Sequence, residues 1–114
     1  MRALEELFGN KSAERVLLFM QNYGEGYGRE IAKTFDIPQP MVRNQLLKLE
    51  NAGWLVSRPI GRTRLYSWNP GNPLVKPLRN FLDKSLEAIP EDQTVTFFRQ
   101  RRRPRKAGKP IWNR

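Results

Sequence analysis

The chain has 114 residues, 39% of them hydrophobic, and contains neither cysteine nor histidine. This suits one modest domain with an extension, and it excludes disulfides, thiol redox chemistry, cysteine or histidine catalysis, and soft-metal sites. The net charge of +10 is uneven: residues 99–114 carry eight basic and no acidic side chains, while residues 1–98 carry 13 basic and 11 acidic ones.

Residues 2–8 predict a short helix with Leu4, Leu7 and Phe8 on one face. Gly9 ends it, and Asn10 or Ser12 can cap the next helix, which runs to about Tyr23. That helix has a stripe of Ala13, Val16, Leu17 and Met20, widened by Leu18 and Phe19, so neighbours must pack it on several sides. Tyr23–Gly28, with Gly24, Gly26 and Gly28, is a turn or a short strand. Arg29–Phe35 is a short helix with Ile31, Ala32 and Phe35 inward, broken by Asp36-Ile37-Pro38. Pro38 and Pro40 fit the first turn of a further helix, where a missing N–H costs nothing. That helix extends to about Ala52 and ends at Gly53.

Trp54–Pro59 and Arg64–Trp68 predict two strands, joined by Ile60–Thr63 with Gly61 supplying backbone freedom. Asn69–Pro73 is a strong break. Leu74–Ile89 predicts an amphipathic helix whose stripe is Leu74, Leu78, Phe81, Leu82, Leu86 and Ile89, stopped by Pro90. Thr94–Phe97 alternates like a strand, without an evident partner. Residues 99–114 have the composition of a flexible basic tail. The longest apolar runs, such as Val16–Met20, are too short to span a bilayer. The first residues lack a signal-peptide core. The expectation is a cytoplasmic protein with no membrane partner.

The fold expected is mainly α with a small β-hairpin: a winged helix-turn-helix with an extra C-terminal amphipathic helix and a basic tail. On the helix after Pro38, Val42, Leu46 and Leu49 repeat at four and three and must face the core. The remaining face carries Gln39, Pro40, Met41, Arg43, Asn44, Gln45 and Lys48. Arginine can bond guanine O6 and N7 together, and Asn or Gln can do the same to adenine N6 and N7, so this is the equipment of a recognition helix. The hairpin adds Arg58, Arg62, Thr63 and Arg64, which can reach phosphates or the minor groove. Residues 39–66 hold five basic side chains against Glu50 alone. Double-stranded DNA is the partner this pattern implies. No paired carboxylates or Ser–Lys arrangement stands out, so neither enzyme activity nor a cofactor or metal is expected.

LFGNKSAERVLLFM, followed by GREIAKTFDIPQPMVRNQLLKLENAGWLVSRPIGRTRLYSWNP, resembles prokaryotic winged-helix transcriptional regulators of the ArsR type. The pattern is similar to the group that opens with Leu-Phe-Gly-Ser-Lys and closes with an Arg-Leu-Tyr strand and Asn-Pro. It spans about residues 7–82, and Arg29–Trp54 is its most specific portion. By that likeness Arg29–Phe35 is the positioning helix, Gln39–Asn51 the recognition helix and Gly61–Arg64 the wing. It also implies a homodimer and repression. Metal sensing does not carry over, because the metal-binding members use cysteines or histidines. Pro38 and Pro40 stand where a Ser-Gln-Pro start is common, which removes a hydroxyl cap.

Residues 1–90 therefore form the expected domain, with 74–89 as its dimerisation helix, and residues 91–114 form a basic extension. The expected dimer interface is Leu4, Leu7, Leu74, Leu78, Phe81, Leu82, Leu86 and Ile89; the alternative for the 74–89 stripe is intramolecular packing against the helix that ends near Tyr23. The tail cations Arg101, Arg102, Arg103, Arg105 and Lys106 can add phosphate contacts. Two other functions fit parts of the pattern. An antitoxin-like protein would use its C-terminal segment to bind a partner protein, which Glu91–Phe98 and Ile111–Trp112 motivate. An architectural DNA- or RNA-binding protein would bind mainly through the tail.

Overall fold

The computed structural model describes residues 7–88. Its elements are α1 (Lys11–Tyr23), β1 (Glu25–Tyr27), α2 (Gly28–Phe35), α3 (Gln39–Asn51), β2 (Leu55–Ile60), β3 (Thr63–Trp68) and α4 (Val75–Glu87). Leu7 and Phe8 are helical, as the spacing at 2–8 predicts. The rest of that segment, Leu4, Ile89, the candidate strand 94–97 and the tail lie outside the described residues.

Local chemistry sets the helix ends. The Asn10 side chain accepts the Ala13 N–H at 2.7 Å and so caps α1. At its other end Gly24 turns left-handed (φ 83°) and donates to the Met20 carbonyl. Asp36 closes α2 with φ 57°, a conformation that Asp tolerates better than most residues. α3 starts after Pro38, with Pro40 in its first turn and no side-chain cap. It ends in a Schellman pair: Gly53 donates to the Glu50 carbonyl at 3.0 Å and Trp54 to the Leu49 carbonyl at 2.9 Å.

The sheet is antiparallel with strand order β1-β3-β2. The segment that sequence leaves open between turn and strand is therefore a third strand, pairing Gly26 with Tyr66 and Tyr27 with Leu65. A side chain at position 26 would collide with the core, since a Cβ there would lie 2.5 Å from Phe19 Cε1. The hairpin turns on Gly61-Arg62. A positive φ (62°) occurs at Gly61 and not at Arg62, as a type II′ turn requires, which matches strand twist.

α1 is the hub, packing against α3, α4, α2 and β1. Its Val16, Leu18, Phe19 and Met20 are fully buried among Ile31, Val42, Leu46, Leu55, Trp68 and Leu82. Each such side chain contributes about 1.5–3 kcal/mol relative to exposure. Trp68 belongs to this core, and Trp54 packs at its margin.

The stripe expected to serve dimerisation as a whole is split. Leu82 and Leu86 lie inside the monomer's own core, together with Val75. Leu78 is half-buried against that core, while Leu74 and Phe81 are exposed. The reason is geometric: α4 lies along α1, whose apolar surface needs a cover on that side. The result is a mainly helical winged helix-turn-helix. A tight turn joins α2 to α3, and the β2–β3 hairpin follows.

Candidate nucleic-acid interface

The core face of α3 dictates its outward face. Val42 and Leu46 are buried, and Leu49 packs against the same core. Opposite them, Gln39, Pro40, Arg43, Asn44 and Lys48 are exposed, and Gln45 is half-buried. The outward face is also partly apolar: Met41 is 47% exposed and Leu47 43%. Sequence reasoning named Met41 there but passed over Leu47, which the spacing of three from Asn44 places beside it. Such side chains can meet thymine methyl groups. The one acid of α3, Glu50, is half-buried at the helix end, facing the hairpin.

The hairpin residues divide between the two faces of the sheet. Cross-strand pairing puts Ser57 opposite Tyr66 and Pro59 opposite Arg64 on one face, and Arg58 opposite Leu65 and Ile60 opposite Thr63 on the other. The Ser57 face looks toward α3, because the Ser57 hydroxyl donates to Glu50 Oε2 at 2.7 Å. Arg58 and Thr63 thus point away from α3, and Arg62 sits on the turn. Arg64, expected as a DNA contact, donates from Nε to the Ser57 hydroxyl at 2.9 Å and from an Nη to the Ser57 carbonyl at 3.4 Å.

Tyr66 sits under this junction. Burial pushes its phenol above the ordinary value, the Glu50 charge adds to that, and Arg64 and Arg43 oppose it. Arg43 and Arg64 therefore share one electrostatic neighbourhood with Tyr66.

A second cationic feature was not named from sequence. Tyr27, Arg29, Glu30, Lys33 and Thr63 line an open groove of about 490 Å³ between α2 and the hairpin. The β1–β3 pairing creates it by holding Tyr27 beside Leu65. Within it the Glu30 carboxylate accepts the Tyr27 N–H at 3.4 Å. Arg29 and Lys33 are exposed. Their spacing of four on one helix face was the available signal. The tail residues Arg101, Arg102, Arg103, Arg105 and Lys106 lie outside the described residues.

Elsewhere on the surface, Leu7, Leu74 and Phe81 are 63%, 60% and 44% exposed. Among the described residues no helix is long and apolar enough to cross a membrane.

The sequence matches no protein-family model and no curated protein. Among solved structures, the chain is similar to AF1382 from Archaeoglobus fulgidus, with TM-score 0.54 and 19% identity over 71% of this chain and 94% of that one. It is also similar to a MarR-family transcriptional regulator from Rhodococcus sp. RHA1, with TM-score 0.51 and 17% identity over 80% of this chain and 71% of that one. These likenesses are at the level of the winged-helix fold, and they do not single out the ArsR type.

Proposed function

We propose that the protein is a sequence-specific DNA-binding transcriptional regulator, acting as a dimeric repressor in the cytoplasm. The observation that carries this reading is the outward face of α3. It offers Arg43, Asn44, Gln45 and Lys48 with no exposed acid, on a helix held by a buried stripe and followed by a basic hairpin. In the major groove Arg43 and Asn44 reach base edges, while Arg62 at the hairpin turn takes a neighbouring phosphate. Arg29 and Lys33 add phosphate contacts from the flank. The MarR-family neighbour supports a regulator on the same fold, and the residue pattern at 7–82 supports the finer ArsR-type likeness.

The dimer is proposed through Leu7, Leu74, Leu78 and Phe81, with Leu82 and Leu86 holding α4 from behind. A twofold arrangement sets two recognition helices about 34–36 Å apart and calls for a near-palindromic site. Selection of bound duplexes from a random pool, using the full chain, tests the reading. Enrichment of a near-palindrome is expected. Binding without enrichment favours instead the architectural reading, which rests on the eight cations of residues 99–114. In that case removing those residues abolishes most binding.

A further inference from the structure

Glu50 is the sole acid in the 39–66 stretch, set among the groups proposed to meet DNA. An acid there opposes polyanion binding unless it serves another purpose. Its surroundings supply one. The backbone of Glu50 is fixed by the Schellman end of α3, where its carbonyl accepts the Gly53 N–H at 3.0 Å. Its carboxylate accepts the Ser57 hydroxyl proton at 2.7 Å. The Ser57 oxygen in turn accepts Arg64 Nε at 2.9 Å, and the Ser57 carbonyl accepts an Nη of Arg64 at 3.4 Å. A serine hydroxyl has one proton to give and lone pairs to receive, so a carboxylate on one side and a guanidinium on the other fix its direction. The chain runs unbroken from the recognition helix, through β2, to β3.

We propose that Glu50, Ser57 and Arg64 form a positioning relay that sets where the wing falls on DNA relative to the recognition helix. Arg64, exposed on β3, then acts through Ser57 to hold the hairpin. This rests on the DNA-binding reading above. The hairpin has few other ties to α3 beyond its base, because Arg58, Ile60 and Thr63 face the opposite side of the sheet. Two of the five guanidinium N–H donors of Arg64 are already committed to Ser57.

The relay makes a prediction opposite in sign to simple electrostatics. Removing the Glu50 charge should tighten DNA binding if only charge matters, whereas loss of the relay weakens it. The test uses the full chain with a duplex recovered by selection from a random pool. Affinity, hydroxyl-radical footprint and thermal unfolding are read for Glu50→Ala, Glu50→Gln and Ser57→Ala. Glu50→Ala and Ser57→Ala are expected to weaken binding roughly three- to tenfold, the scale of one ordinary intramolecular hydrogen bond. Both lose protection at the wing-facing phosphates and keep protection under α3. Glu50→Gln retains an acceptor oxygen and stays near wild type. Equal or tighter binding by Glu50→Ala with an intact footprint overturns the relay. So does a uniform fading of the footprint that tracks a drop in melting temperature. If the wild-type chain selects no duplex at all, the DNA-binding reading itself fails and the relay falls with it.

Discussion

The Trp68 indole N–H donates to the Met20 carbonyl, 3.1 Å away, and so fastens the last residue of β3 to the end of α1. The same carbonyl accepts the Gly24 N–H at 2.7 Å. Arg79 from α4 lies 5.5 Å over the indole ring and donates from Nε to Gln21 at 2.9 Å. Three elements thus meet at one ring. Burial lowers the affinity of the Arg79 guanidinium for its proton, and Asp83 opposes that shift.

Trp68→Phe removes the hydrogen bond and part of the packing. A loss of about 1–3 kcal/mol is expected, between a lost hydrogen bond and a small core cavity. Thermal unfolding followed by circular dichroism checks this. An unchanged midpoint would contradict the role given to the indole.

Gly26→Ala puts a methyl into the space of the Phe19 ring. Phe19 is fully buried, with Tyr23 at 4.5 Å and Phe35 at 6.5 Å between ring centroids, so it has little room to yield. Overpacking should cost about 1–3 kcal/mol. Urea unfolding of the variant measures it, and wild-type stability would show that the ring moves freely.

The split stripe of α4 separates stability from assembly. Leu82→Ala should lower stability by about 2–5 kcal/mol, as for other fully buried leucines. Phe81→Lys, at an exposed position, should leave the monomer within about 0.5 kcal/mol of wild type and dissolve the proposed dimer. Sedimentation velocity and melting curves on both variants decide. A Phe81→Lys protein that still sediments as a dimer would remove α4 from the interface.

Arg43→Ala and Asn44→Ala should each cost about 1–3 kcal/mol on a selected duplex and relax preference at one base pair. Arg62→Ala should weaken every duplex alike. Equal losses on selected and scrambled DNA for the first two would show that neither reads bases.

Much of the architecture was legible because helical spacing is a local property. Val42, Leu46 and Leu49 announce which way α3 faces, and Gly24, Gly53 and Gly61 mark the ends where backbone must turn left-handed. β1 was only half legible, since three residues become a strand through pairing with β3, some forty positions on. The stripe of α4 gave its face but not its partner. An apolar face looks the same in sequence whether it covers α1 or a second subunit. The Arg64 contact was hidden for a related reason. Its charge is visible, but its bond to Ser57 depends on cross-strand register.

The most direct test of the central claim is competition at near-physiological salt. The full chain is bound to its selected duplex and challenged with a scrambled duplex of the same composition. Sequence reading by α3 predicts a preference of at least about a thousandfold. Equal competition by the two duplexes would contradict it.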